Sequence, residues 1–316
     1  MRLEADHASG ERRSFGVGDL LVLTTVVLWA ASFTVIKSAY AEFTPLSFAA
    51  TRFAIASLGL LLITALRREP LSFARSDLPR IAALGLCNVT LYQAFFGVGL
   101  GYTTASNSVL ITNTAPVMTL LLAAATRADR ITPRQALGVL LALGGVVVLV
   151  SASGGLSAGH LKGDVLTLLG AASYAVTPIT VLPLYRRYST LPVMAASMTF
   201  GTVLLLAVGF PDLARQSWAL SPAAWSQLAY AALGAGSLGY LFWYEGIRRI
   251  GPTRVAAYSY LIPVLGVWIA VAILSEPFGL RHLIGAAVTI TGVALTRWPA
   301  HSRSKRAWKK RRYLGS

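Results

Sequence analysis

Eight residues stand out as groups that could hold a small organic molecule: Trp29, Ser32, Tyr92, Asn113, Tyr174, Tyr240, Trp243 and Tyr260. Aromatic faces with a few amides and hydroxyls make a site for an amphipathic solute, through apolar contact, hydrogen bonds and cation–π attraction. They do not make a reaction centre. The four histidines (His7, His160, His282, His301) all fall in tails or loops, away from these groups. A Ser-His or metal mechanism has no base or ligand where it would need one. There is no HExxH and no phosphate-binding P-loop. The lone cysteine, Cys87, forms neither a disulfide framework nor a thiolate metal site. The pattern implies no catalytic residue, metal or cofactor.

The elements that must position these groups are apolar. Of 316 residues 55% are hydrophobic and only 13% charged, with a mean hydropathy of +0.63, which is too apolar for a soluble domain. Ten continuous apolar stretches come near the ~20 residues that cross a bilayer core. They run over about 18–38, 46–66, 80–100, 104–126, 134–151, 164–184, 192–209, 224–246, 252–274 and 279–298. Continuous runs, rather than alternating ones, predict an all-α bundle and not a barrel.

Charge fixes an orientation for that bundle. If both termini are cytoplasmic, 23 of the 28 Lys and Arg fall on the inner side, leaving Lys37, Arg52, Lys162, Arg215 and Arg281. The net charge of +16 is then a topological signature spread over many loops, which argues against nucleic-acid binding. Only the tail from Arg303 to Arg312, with Trp308, is dense enough to adhere to anionic headgroups. Arg12 and Arg13 precede the first stretch, which is read as a retained span.

The chain also repeats itself. Thr112, Asn113, Pro116, Asp129, Arg134, Gly138 and Gly145 recur as Ser259, Tyr260, Pro263, Glu276, Arg281, Gly285 and Gly292 at one constant offset. With five spans in each copy the second must enter the bilayer upside down, the architecture of secondary transporters. The segments are a tail (1–17), a first repeat (18–151), an external connector (152–163), a second repeat (164–298) and a basic tail (299–316).

Proline in a span removes a backbone hydrogen bond and bends the helix. Pro116 and Pro263 follow polar pairs at matching places, as Pro178 and Pro183 follow Thr177 in span six. Two readings stay open: a binding site at the repeat interface, or bends that only shape packing while the polar groups bond back to their own helix. Gly138 with Gly145, and Gly285 with Gly292, lie seven apart on one face and suit close helix packing. Of the aromatics in spans one, three, six and eight (Trp29, Tyr92, Phe95, Phe96, Tyr174, Tyr240, Trp243, Tyr244), fewer than half are expected to line a cavity.

Charges near the hydrocarbon are few. Arg52 lies about two turns inside span two, within reach of Glu42, and serves either structure and topology or the anionic group of a solute. Lys37 ends span one on the same side. Glu245, three and four residues before Arg248 and Arg249, predicts a local ion pair. Asp19 and Asp164 read as N-terminal caps, and Asp129 and Glu276 as ties within the turns before Arg134 and Arg281.

Residues Leu28 to Phe33 followed by Lys37, then Pro45 with Arg52, then Ala257 to Val264, then Ser275-Glu276-Pro277 with Gly285 and Gly292, carry a resemblance. Over nearly its whole length the chain resembles an EamA-type member of the drug/metabolite transporter superfamily. Asp129-Arg130 stands where such proteins often carry glutamate. The resemblance implies two inverted five-helix halves and a central cavity lined by spans one to four and six to nine. Spans five and ten would be peripheral. It implies export of small metabolites, often amino acids, with drug-like cations as the alternative cargo. The arginine-rich composition points to a bacterial plasma membrane; the oligomeric state stays open.

Overall fold

The computed structural model describes residues 15–125, 132–152, 158–251, 255 and 258–297. The readings placed on Arg12 and Arg13, on Asp129 and Arg130, on Ala257 and on the tail around Trp308 lie outside them. Every regular element among the described residues is helical. In chain order these are α1 (Val17–Ala39), α2 (Pro45–Leu66), α3 (Leu78–Tyr102), α4 (Ala105–Thr112) and α5 (Ala115–Ala125). They continue with α6 (Pro133–Ala152), α7 (Ala158–Tyr174), α8 (Thr177–Tyr185), α9 (Thr190–Arg215), α10 (222–250), α11 (Leu261–Leu274) and α12 (Leu280–Arg297).

Five rods are long and apolar enough to cross a membrane: α1, α2, α3, the broken pair α7–α8 from His160, and α9. Three shorter apolar helices cover Pro133–Leu149, Leu261–Leu274 and Leu280–Leu295. Proline breaks several of the ten expected stretches, and of these 164–184 still counts as one rod across its break, whereas 104–126 and 252–274 do not. The stretch 104–126 breaks at 113–114 just before Pro116, and 164–184 at 175–176 just before Pro178. In 252–274 a turn at 259–260 precedes Pro263. Each proline thus falls in the first turn of the following segment, where its missing N–H has no helical partner to lose. Large apolar side chains such as Leu62, Leu140, Val203 and Trp268 are exposed on the outer faces.

Two elements depart from α geometry without any proline. Residues Leu86–Leu91 within α3 and Tyr230–Leu238 within α10 are π-helical. At the repeat's offset these wide turns overlap, so the duplication reaches into backbone detail that no periodicity in the sequence announces.

The duplication also organises the contacts. The largest interface joins α6 to α12, and its glycines meet crosswise. A Cβ on Gly145 would lie 2.8 Å from Gly285 O, and one on Gly292 would lie 2.6 Å from Gly138 O. Likewise Gly99 lies against Gly163 O, and Gly246 against Gly18 O. Contacts in which i meets j and the copy of j meets the copy of i are what a two-fold relation produces. The glycines read as packing residues do pack, leaving no room for a side chain.

Loops at both ends are tied by buried polar groups. Gln216 accepts from Thr44 N (3.0 Å) and Ser47 Oγ (2.7 Å) and donates to Glu42 O (2.8 Å). Elsewhere Asp77, fully buried, meets Arg187 (2.6 Å), Arg80 (3.3 Å) and the Tyr188 hydroxyl (2.8 Å).

Candidate functional site

Helix α1 brings Trp29, Ser32 and Phe33 to the middle of the molecule, three and four residues apart and therefore on one side. Tyr92 and Phe96 of α3 are four apart, and Tyr240 and Trp243 of α10 three apart, so each pair also shares a face. Both pairs sit just after a π-helical turn. There an extra residue is absorbed, which rotates everything downstream relative to the preceding face. The opened turn also contributes a partner: Trp29 Nε1 donates to Ala235 O within the second π segment at 2.9 Å.

These helices enclose a cavity of about 500 Å³, the size of a small-molecule site. Its rings interlock in two matching pairs. Trp29 stands against Tyr240 with centroids 5.3 Å apart, and Tyr174 against Tyr92 at 5.3 Å. Trp29 also meets Trp243 at 5.0 Å, and Phe96 is flanked by Tyr92 (5.6 Å) and Phe33 (5.5 Å). Six of the eight aromatics expected to divide between cavity and lipid line the cavity. That corrects the expectation of fewer than half. The exceptions are Phe95 and Tyr244, the latter bonded to the Tyr185 hydroxyl at 3.2 Å and to Met194 Sδ at 3.0 Å.

Ser32, Asn113 and Pro116 line the same space, so that of the eight singled-out binding residues all but Tyr260 converge there. Ser32 Oγ donates to Trp29 O at 2.7 Å and Asn113 Nδ2 to Val109 O at 2.8 Å. These groups thus bond back to their own helix while facing the cavity. Tyr260 instead packs against the cluster Val117, Val139, Ala142 and Val293. Pro263 is buried in α11 and lies outside the lining. The lining draws on no residue of α6, α9 or α12. The span-seven helix, α9, was expected to contribute and does not, because it packs behind α2 and α3, with Gly201 held close against Gly85 O.

The charged residues separate into those that fasten the fold and one that faces the cavity. Lys37 Nζ donates to the carbonyls of Leu100 (2.7 Å), Gly101 (3.2 Å) and Thr103 (2.7 Å), capping the end of α3 where the helix dipole is negative. Glu276 caps the neighbouring start of α4, accepting from Ala105 N (2.6 Å) and Ser106 N (3.0 Å). It thus serves a helix of the other half rather than its own turn. Glu245 forms the anticipated local pair with Arg248 and, at 2.9 Å, with Arg249. Asp19 accepts from Gly16 N at 3.0 Å, as a cap does, and also from the Tyr258 hydroxyl at 2.8 Å. Asp164 is no cap: it lies beyond the first turn of α7 and binds Thr103 Oγ1 (2.6 Å) and Asn107 Nδ2 (3.3 Å).

Arg52 lines the cavity and does not reach Glu42. Its Nη2 donates to Gln93 Oε1 at 2.6 Å, while Glu42 accepts from Ser221 N at 2.8 Å. The reason is direction: Arg52 points inward to α3, and Glu42 sits exposed in the α1–α2 loop, where Ser221 before α10 donates to it. Gln93 escaped notice in the sequence. An amide in the middle of an apolar span, between Tyr92 and Phe96, was the signal that could have found it.

Comparison with known proteins adds the family. The EamA-like transporter family's model matches residues 16–151 and again 161–298. An uncharacterised transporter of Archaeoglobus fulgidus is 30% identical over 89% of this chain and 98% of its own length. A probable terminal-alkyne amino-acid exporter of Streptantibioticus cattleyicolor is 29% identical, covering 87% of this chain and 91% of that one. A probable amino-acid metabolite efflux pump of Escherichia coli is 26% identical, over 88% and 95%. A crystal structure 20% identical in sequence matches with a TM-score of 0.63 over 90% of this chain and 98% of the other, a likeness of fold. Two copies of one domain, membrane-length apolar helices and a cavity where the copies meet agree with that match: the chain belongs to the EamA-like transporter family.

Proposed function

We propose that the protein is an alternating-access secondary transporter of the plasma membrane that exports amino acids or related small amphipathic metabolites. In this reading the chain crosses the bilayer ten times as two inverted five-helix halves with both ends inside. The observation that carries it is the central cavity, walled by matched aromatic pairs from the two halves, Trp29 with Tyr240 and Tyr174 with Tyr92. A site at the interface of two such halves can open to either side as they rock. The crosswise glycine contacts support the two-fold relation, and the arginine-rich loops support the inversion. The names of the Streptantibioticus and Escherichia relatives support an amino-acid-like cargo.

Counterflow of labelled amino acids in proteoliposomes tests the proposal. Preloaded vesicles should accumulate label above the empty-vesicle control, and Trp29→Ala and Asn113→Ala should depress that exchange. If no member of the panel exchanges, and both variants export from cells as the parent does, the reading fails.

A further inference from the structure

The cavity holds a charge that the protein itself leaves uncompensated. Arg52 is 7% exposed and lines the cavity. Among the described residues the one hydrogen-bond acceptor its guanidinium meets is the neutral Gln93 Oε1. Its Nε is buried without a partner. The rings of Phe53, 4.7 Å from the guanidinium carbon, and Phe48, at 6.0 Å, lie against it, and the tyrosines within range of its charge, Tyr40, Tyr92 and Tyr240, are neutral.

A guanidinium carries five N–H donors arranged to match a carboxylate. Burying such a cation without its counter-ion costs several kcal/mol. Three other charged side chains stand differently. Lys37 has three carbonyls, Asp77 has Arg80 and Arg187, and Glu245 has Arg248 and Arg249. No Asp or Glu lines the cavity among the described residues. Nor does the second half supply a charge of its own, since its described lining residues, from Tyr174 to Ile262, are all neutral.

We propose that Arg52, braced by Gln93, anchors the carboxylate of the cargo, so that the site takes monocarboxylates, amino acids among them, and rejects organic cations that lack an acid. The inference rests on the transporter reading and narrows it. A carboxylate against the guanidinium satisfies the free donors, and the remainder of the solute lies along the Trp29, Tyr240 and Trp243 rings. A cationic amine would meet Arg52 as a like charge in a poorly screened space.

The test is thermal stabilisation of the purified full chain by phenylalanine, leucine, 3-phenylpropionate and 2-phenylethylamine, run beside counterflow of the same solutes and a sodium chloride titration. The acids should stabilise the protein and the amine should not. Arg52→Gln should weaken the acids roughly 10- to 100-fold, the range expected for a hydrogen-bonded charge, with Arg52→Lys in between. Gln93→Glu supplies the guanidinium with an internal carboxylate, so this variant should fold with a raised melting temperature and lose its response to acids. A merely structural Arg52 would keep that response. The proposal is overturned if no acid stabilises the protein, if the amine does so equally, if chloride reproduces the effect, or if Gln93→Glu binds acids as before. Stabilisation without counterflow would sink the transporter reading and leave the anchor standing; counterflow of the amine alone would do the reverse.

Discussion

A charge near a membrane core reads differently once its partner is known. Lys37, Glu245 and Arg52 look alike as isolated letters, yet the first caps a helix, the second neutralises its own neighbours, and the third faces the cavity. Spacing reveals the Glu245 pair, because three and four residues along a helix bring side chains together. It could not reveal that Arg52 meets Gln93 rather than Glu42, since that depends on how α2 turns toward α3. Glu42 supplies a residue-scale prediction. Hydrogen bonds from the side chain and then the backbone of Ser221 hold its carboxyl below the ordinary value of 4.5. A depressed folded-state value means the contribution is present above about pH 4.5 and fades as pH falls through the lower folded value. Glu42→Gln should therefore lower the melting temperature in detergent at pH 7 and approach the parent as pH is taken progressively below 4.5; a constant difference would contradict this.

Elements show a similar division. The seven-residue glycine spacing in α6 and α12 announces close packing, and the structure brings those faces together until carbonyls replace side chains. Gly144 and Gly145 make the argument testable, because they are adjacent and differ only in what they face. A Cβ on Gly145 would lie 2.5 Å from Thr289 N, whereas one on Gly144 meets nothing within 4 Å. Gly145→Ala should cost about 1–3 kcal/mol by overpacking. Gly144→Ala should be neutral or gain up to about 1 kcal/mol from helix propensity. Chemical or thermal unfolding in detergent reads both, and equal effects would show that the interface is looser than drawn. The π-helical turns were not legible. Their partners are tertiary: Trp29 Nε1 donates to Ala235 O within one, and Thr90 Oγ1 within the other donates to Gly201 O of α9 at 2.8 Å. No local pattern encodes such help.

For the whole molecule, the duplication and the transporter family were readable before any coordinates, because both rest on long-range regularity in composition. The cavity's occupants were mostly readable as residue types, but their convergence was not, and Tyr260 shows why: a copy of Asn113 by offset, it packs on another surface. The proposed inversion makes a prediction on this scale. In a Cys87→Ser background, Ser217→Cys, between α9 and α10, should react with a membrane-impermeant maleimide on intact cells. Ser189→Cys, between α8 and α9, should react only after permeabilisation. Labelling of both from one side would rule out the arrangement. The crosswise contacts of α6 with α12 are those that two identical subunits would make across a dimer axis. Had the halves remained separate copies, any arginine at the position of Arg52 would occur twice, placing two like charges around one cavity of about 500 Å³. Joining the copies into a single polypeptide lets one half carry the cation while the other lines the centre with neutral groups only, so the centre becomes monovalent while the frame around it stays a symmetric pair.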